Sequence, residues 1–419
     1  MRLAVFTNRF PSRMSTFFAR DMRALINAGV DVDIFPFYPL EQELWRYMPD
    51  ILNETILPRN RVHHITLRES LRSARLTKTK LHTFVREMAA VNVSAAKFGI
   101  SSLAKTTYVG LKALGWVRRY NSSYDHILAY WGNYAATCAY VFHRLLDRPI
   151  PFSMFLHAGM DLYEGQVYLK EKLLYADNVF VVCEFNRQFL SERYNDIFPQ
   201  ISPKIHKYHP GLDFAELQYD SNSRSGRKIL AVGGLEKYKG FDYLLRAGQI
   251  ISSRGLDYEI NIVGDGKEKN SLKILAAELQ IENRVKFLGY LPSDDEVWTA
   301  MTQATILVHP SSGPGDAVPT VIKESMALGT PVVASNIAGI PELLDGGRCG
   351  ILVPPGNPQE LANAIEKLLT NEALRVRYAD AARRYAEHTF DLWRNGQKLA
   401  DLLSSTTRVN TKGQLPLHI

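Results

Sequence analysis

Residues 304–335 read ATILVHPSSGPGDAVPTVIKESMALGTPVVAS. The strand candidate ATILVHP gives way to a loop rich in Ser, Gly and Pro; a helical pattern follows, then a second strand candidate, TPVVAS. Pro319 suits the first turn of a helix and Gly329 its stop, so the stretch predicts strand, helix and strand in the manner of a parallel sheet. Two carboxylates, Asp316 and Glu324, stand eight residues apart within it. Asp316 falls in the loop entering the helix and Glu324 about one and a half turns inside. With Val321 at i−3 and Leu328 at i+4, Glu324 borders the apolar side of that helix and needs hydrogen-bond donors, such as the paired hydroxyls of a ribose. Asp316 is better placed for a sugar.

The same alternation extends outward in both directions. Ahead of the quoted stretch lie the strand candidates ILAVGG, YEINIVG and RVKFLG, and GILVPP follows it, each leading into a helix candidate. The first half offers LAVFT, VDIFPF, HILAYW, PFSMFL and NVFVVC. Between the first two, Phe18, Met22, Leu25 and Ile26 share a helical face that Gly29 ends. The polar segment 219–228, YDSNSRSGRK, interrupts the pattern and is expected to be a linker. The fold class is therefore α/β, with two Rossmann-like domains whose parallel sheets face across a cleft. Residues 1–218 and 229–388 form the domains, 389–403 a C-terminal helix returning to the first, and 404–419 a flexible tail.

Composition narrows the function classes. A chain of 419 residues with 46% hydrophobic and 22% charged residues suits a soluble two-domain protein. Cys138, Cys183 and Cys349 are odd in number and lack a C-x-x-C pair, which predicts a reducing cytoplasm and neither a disulfide framework nor a cysteine zinc site. The start, MRLAVFTNRFPS, is too short in its apolar part for a signal peptide. The longest uncharged stretch, ILAYWGNYAATCAYVF, is broken by Gly132 and Asn133 and falls short of the roughly 20 residues of a spanning helix. The net charge of +7 is concentrated: residues 59–119 hold thirteen Lys or Arg against Glu69 and Glu87. Interleaved Leu71, Leu76, Leu81, Phe84, Val85 and Met88 suggest amphipathic helices, either a solvated face or a peripheral contact with an anionic membrane through Arg68, Arg72, Arg75, Lys78 and Lys80. No nucleic-acid-binding motif is present.

Ligands of open α/β sheets bind at the carboxyl ends of the strands. Three loops of the second domain stand there: VGGLEKYKGF with Gly233, Gly234 and Lys239; VGDGKEK with Gly264, Asp265 and Gly266; and the quoted loop with its two carboxylates. Glycines allow backbone amides close to a phosphate, and a lysine and a helix N-terminus add positive potential. Taken singly, each also reads as a tight turn. Neither G-x-G-x-x-G after the first strand nor G-x-x-x-x-G-K-[ST] occurs, which disfavours a dinucleotide oxidoreductase and a P-loop ATPase. Asp31 and Asp33 form a D-x-D, but alternation with Val30, Val32 and Ile34 reads as a strand edge. His63 and His64 read as surface residues, and Trp131 as either a ligand platform or core.

From about Lys228 to Leu369 the ordered set AVGGLEKYKGFDYLLRA, NIVGDG, VKFLGYL, DAVPTVIKESMALGTPVVAS, GIPELLDGG and GILVPPGNPQELANAI resembles the retaining glycosyltransferases of family 4, which have the GT-B fold. The first half is similar at FPSRMSTFF, FSMFLHAGMDLY, ADNVFVVCEFNRQFL and YHPGLDF, most closely to bacterial exopolysaccharide and colanic-acid-type transferases. The resemblance places the family's E-x7-E pair on Asp316 and Glu324. It implies that Glu324 holds the donor ribose; that Asp316 with Ala317, Val318, Pro319 and Thr320 faces the donor sugar and diphosphate; and that Lys239 neutralises the diphosphate. It further implies that His157, with Asp161 near it, lies beside the reacting sugar, and that no metal or other cofactor is needed. The expected partners are a nucleotide diphosphate sugar and a glycan or polyprenyl-diphosphate-linked acceptor. Gly234 stands where the family has an arginine, with Arg9, Arg13, Lys237 and Arg187 as replacement cations, and Met14-Ser15-Thr16-Phe17 stands for S-E-T-F. Those departures keep a non-catalytic scaffold subunit as the alternative; a nucleotide-sugar epimerase shares the fold but not this signature.

Overall fold

The computed structural model describes residues 1–12, 16–38, 50–73, 77–121, 123–221, 224, 226–315 and 317–411. The chain forms two compact units, Met1–Gly211 with Leu392–Ile419, and Leu212–Asp391. Among the described residues no helix is long and apolar enough to cross a membrane.

The first unit is built on a parallel sheet of β1 (Arg2–Thr7), β2 (Asp31–Pro36), β3 (His126–Ala129), β4 (Phe152–Leu156), β5 (Asn178–Val181) and β6 (Ile205–Lys207), in the order β2-β1-β3-β4-β5-β6. The five predicted strands are present. The sixth escapes sequence reading because it is a three-residue edge strand, IHK, with one apolar residue. Asp31 and Asp33 lie on edge strand β2 and meet cations of the protein itself: Arg2 and Arg61 pair with both, and His63 Nε2 lies 2.9 Å from Asp33. Burial raises the Asp33 carboxyl, but His63 and Arg61 outweigh it and hold the group below its ordinary value.

The basic segment is less peripheral than its charge implies. Helix Ile100–Tyr120 buries Val109, Ala113, Trp116 and Val117 in the core, and the Trp116 ring meets Phe35 edge-on at 5.3 Å. His63 and His64 are not surface residues: Tyr120 Oη lies 2.8 Å from His63 Nδ1, and burial pushes His64 down to about 4. Lys80 pairs with Asp147, and the ammonium of buried Lys112 donates to the Ile65 carbonyl. Arg75 lies outside the described residues.

The second unit's parallel sheet comprises β7 (Lys228–Val232), β8 (Glu259–Val263), β9 (Val285–Gly289), β10 (Ile306–His309), β11 (Val332–Ser335) and β12 (Ile351–Val353), in the order β12-β11-β10-β7-β8-β9. All six predicted strands are found. The segment 219–228 is anchored within this unit: the Arg224 guanidinium, 7% exposed, donates to the carbonyls of Met301 (2.9 Å), Ala304 (2.8 Å) and Leu328 (2.9 Å). These are carbonyls at helix C-terminal ends, which lack intrahelical donors. Burial pushes the guanidinium down to about 10. The C-terminal helix spans Leu392–Thr411, running through residues expected to be tail. Thr406 accepts from Asn178 (3.0 Å) and Thr407 Oγ1 lies 3.1 Å from His126 Nδ1, so a polar sequence here serves a buried polar seam.

The loops leaving β7, β8 and β10 touch backbone to backbone. A β-carbon on Gly264 (φ +136°) would overlap the Gly233 carbonyl, one on Gly240 (φ +70°) the Pro310 carbonyl, and one on Gly266 would sit 2.5 Å from the Leu235 carbonyl. Gly234 has nothing within 4 Å of such a carbon and no positive φ. Gly264→Ala is therefore expected to cost at least ~3 kcal/mol of second-unit stability in urea unfolding. Gly234→Ala is expected to stay within ~1 kcal/mol of wild type.

Candidate functional site

In the second unit β7 pairs with β10 on one side and β8 on the other, so successive connections diverge between β7 and β10. That divergence opens the crevice in which α/β sheets take ligands. After β7 the chain passes Gly233 and Gly234, makes a turn over Lys237–Lys239 and enters helix Phe241–Ser253. The Lys239 stem runs along Gly233, whose added β-carbon would meet Cδ and Cε at 3.9 Å, and its ammonium lies 5.4 Å from the Tyr238 ring centre. After β8, Asp265 accepts from the Gly266 amide (2.9 Å) and from Lys269 (3.2 Å), which hold its carboxyl below its ordinary value, while its carbonyl accepts the Leu235 amide (3.0 Å).

The loop after β10 rests on Tyr238: the Tyr238 carbonyl accepts the Ser312 amide at 2.8 Å, its β-carbon lies against Gly313 and its ring under Gly315. Asp316 lies outside the described residues. Ala317 is buried, Pro319 takes the N-cap position, and helix Thr320–Leu328 ends at Gly329 in the left-handed conformation. Glu324 is 6% exposed, between buried Lys323 and Ser325. The structure thus gathers Gly233, Gly234, Lys239, Gly264, Asp265, Gly266, Ala317, Val318, Pro319, Thr320 and Glu324 at the carboxyl end of one sheet. Of the replacement cations considered for Gly234, Lys237 shares its loop; Arg9 stacks on Tyr38 in the first unit, Arg187 is exposed there, and Arg13 lies outside the described residues.

In the first unit His157 follows β4 and is 8% exposed. Its Nε2 lies 2.9 Å from the Tyr130 carbonyl, and its ring packs on Phe17, Tyr130, Trp131 and Phe155. Trp131 is both core and loop: its indole N–H donates to Thr7 Oγ1 at 3.2 Å. Asp161 is buried and turned toward backbone, accepting the amides of His157 (3.0 Å), Ala158 (2.8 Å) and Gly132 (3.3 Å); burial raises its carboxyl above the usual range despite these donors. Sequence reading does not single out three further residues here. Asn186 donates to the carbonyls of Leu156 (3.0 Å) and His157 (2.7 Å), Asp21 accepts from the hydroxyls of Tyr130 and Tyr208, and Lys172 binds the loop after β3. Asn186 lies within the quoted EFNRQ; Lys172 carries no sequence signal.

Residues 215–385 match the family model Glycosyl transferases group 1. The chain is 33% identical over 180 residues to amylovoran biosynthesis glycosyltransferase AmsK of Erwinia amylovora, covering 42% of this chain and 44% of that protein. It is 31% identical over 185 residues to the putative colanic acid biosynthesis glycosyltransferase WcaL of Escherichia coli, covering 42% of this chain and 45% of that one. The match thus spans less than half the length of either relative. Structural likeness extends further: sucrose-phosphate synthase from Thermosynechococcus elongatus superposes with a TM-score of 0.72 at 16% identity, covering 98% of this chain and 100% of that one. HepE of Anabaena in complex with UDP gives 0.68 at 18%, covering 96% and 99%. Identities this low speak to fold alone, the GT-B architecture of two parallel six-stranded sheets expected from the sequence. The chain has the GT-B fold, and residues 215–385, nearly the whole of its second unit, match the glycosyl transferases group 1 family.

Proposed function

We propose that the chain transfers a hexose, with retention at the anomeric carbon, from a nucleotide diphosphate sugar to a polysaccharide or lipid-linked oligosaccharide acceptor. The observation that carries this reading is a buried carboxylate, Glu324, set in the helix that follows β10 at the sheet's switch point, where the Lys239 turn and the glycine loops also leave the sheet. Glu324 binds the donor ribose. The first-turn amides of helix Thr320–Leu328 and the Lys239 ammonium stabilise the diphosphate as negative charge builds on it. His157 steadies the sugar's oxocarbenium-like transition state, and a departing phosphate oxygen takes the acceptor's proton. Asp316 faces the sugar, and Asp161 acts through the His157 backbone. The UDP named with HepE supports a uridine nucleotide, and the amylovoran and colanic acid names support a polysaccharide acceptor. Gly234, with open space in place of a family arginine, favours a scaffold subunit as the second reading.

Thermal-shift screening against nucleotides and nucleotide sugars, followed by assay of nucleotide release and sugar transfer, tests the proposal, since ligand binding adds stability by mass action. A stabilising nucleotide sugar that is turned over supports it; binding without turnover selects the scaffold. Glu324→Ala should weaken nucleotide binding by about 1–3 kcal/mol in calorimetry. Lys239→Ala should lower turnover severely because few cations remain at the leaving group, and Gly234→Arg, which meets no steric obstacle, should raise it. Wild-type turnover in Lys239→Ala would remove that residue from the site.

We also propose that the basic segment docks on an anionic bilayer. Helix Lys78–Ala96 turns Met88, Val91 and Ala95 inward, while Leu81 (52% exposed), Val85 (58%) and Val93 (68%) lie outside among Lys78, His82 and Arg86. Its one acid, Glu87, is buried against Tyr140 and Arg144. Exposed apolar side chains ringed by cations suit an interfacial helix, at about 1 kcal/mol for each Lys or Arg near the surface. Vesicles containing anionic lipid should co-sediment the protein at low salt and release it at high salt. Substituting Arg68, Arg72 and Lys78 by Gln, or Leu81, Val85 and Val93 by Ser, should each weaken binding; retention by both variants would leave a solvated helix face.

A further inference from the structure

The turn after β3, Tyr130 to Asn133, is the support on which His157 rests, and it is held by Asp161 and by Lys172, which no sequence motif marks. The carbonyl of Tyr130 lies 2.9 Å from His157 Nε2. A carbonyl oxygen only accepts, so this contact places a proton on Nε2 and, in the neutral ring, leaves the lone pair on Nδ1. Two residues further on, the Gly132 peptide is gripped from both sides. Its amide donates to Asp161, and its carbonyl accepts from the Lys172 ammonium at 2.9 Å. The same ammonium lies 3.3 Å from the Asn133 carbonyl and 3.1 Å from Thr137 Oγ1. The close packing of Gly132 admits no side chain: a β-carbon there would overlap Leu156 Cδ2 and stand 2.6 Å from the Asp161 carbonyl.

Lys172 is fully buried in helix Leu169–Tyr175. An ammonium has three N–H donors, and this one meets three oxygens, which is the arrangement that lets a buried charge persist. Burial pushes the group down to about 7, against the opposing pull of the Glu171 and Asp161 carboxylates. A lysine kept in such a place without a carboxylate in hydrogen-bond contact needs a reason beyond packing, because an apolar side chain of similar length would avoid its desolvation.

We infer that Lys172 is a positioning residue for His157: by binding the Gly132 and Asn133 carbonyls it fixes the turn whose Tyr130 carbonyl holds the imidazole in one tautomer and one orientation. This rests on the reading of His157 as the residue beside the reacting sugar. Lys172 itself touches no substrate. Its effect passes through the backbone of Gly132 to the Tyr130 carbonyl, and from there to the ring.

The test compares wild type with Lys172→Met, which keeps length and volume, and Lys172→Gln, which keeps amide donors. Nitrogen-15 spectra of the histidine rings, assigned with His157→Gln, report the tautomer directly. Wild-type His157 is expected as a single neutral form protonated at Nε2. In Lys172→Met this signal should give way to a mixture of tautomers, with kcat lowered roughly tenfold to a hundredfold, as for a misplaced catalytic group, and with KM for the nucleotide sugar and Kd for free UDP within twofold. Lys172→Gln should fall between. An unchanged tautomer with unchanged kcat in Lys172→Met would overturn the inference. If neither variant folds, wild type decides: an Nδ1-protonated or exchanging His157 ring overturns it. Should wild type bind no nucleotide sugar and transfer no sugar while Lys172→Met still shifts the tautomer, the glycosyl-transfer reading fails and the hold of Lys172 on His157 stands.

Discussion

At the carboxyl end of the second sheet, the backbone of Gly264 lies against the carbonyl oxygen of Gly233 with no room for a β-carbon. Parallel strands deliver every following loop to the same edge, so loops compete there for space. The competition is resolved by removing side chains at the points of contact: Gly264 on Gly233, Gly266 on Leu235, Gly240 on Pro310. The turn of Lys237–Lys239 can then lie beside the loop from β10, and Tyr238 can support Gly313 and Gly315. A glycine-rich loop is commonly read as a phosphate cradle. Here three of the glycines are needed first for loop-on-loop contact. Gly234, where an added β-carbon would meet nothing within 4 Å, is one whose smallness the protein fold does not require.

The first unit meets the same crowding with buried polar and charged groups as well as with a glycine, Gly132. Asp161, Lys172, Asp21 and Asn186 are all buried, and each spends its polar atoms on the backbone or tyrosines around His157. Such groups cost desolvation that hydrogen bonds at best offset, so their presence argues for fixed geometry more than for stability. The raised Asp161 carboxyl and the lowered Lys172 ammonium are two expressions of that burial. A loop held this way is rigid where it supports the histidine, as catalytic positioning requires.

The fold and the candidate site of the second unit were legible because they are local patterns. Eleven of twelve strands are short apolar runs, and β6 fails that criterion because only Ile205 of its three residues is apolar. Glu324 is visible as a carboxylate beside an apolar helical face. What stayed hidden depends on long-range pairing. Arg224 sits in a polar, glycine-bearing segment that looks like a linker until its guanidinium is seen on carbonyls from two helices. Thr406 and Thr407 look like tail until His126 and Asn178 appear beneath them. Lys172 meets its acceptors thirty-five to forty positions away, at a separation no periodicity reports.

The basic segment shows why counting charge along a chain and reading charge in space differ. Its excess of cations is partly consumed: Lys80 by Asp147, Arg61 by Asp31 and Asp33, and Arg86 by Glu87. Lys112 is consumed differently, on a carbonyl, which accepts one of its donors but leaves its charge uncancelled. Exposed Arg68, Arg72, Lys78, Lys97, Arg118 and Arg119 then set the outer potential. The hydrophobic residues divide along the same line, since Trp116 and Val117 serve the sheet core while Leu81, Val85 and Val93 remain outside. One insertion therefore does two physically separate things. Its last helix completes the first unit's core, which fixes its position, and that fixed position presents the apolar and cationic face of the preceding helix as a surface rather than as a tether.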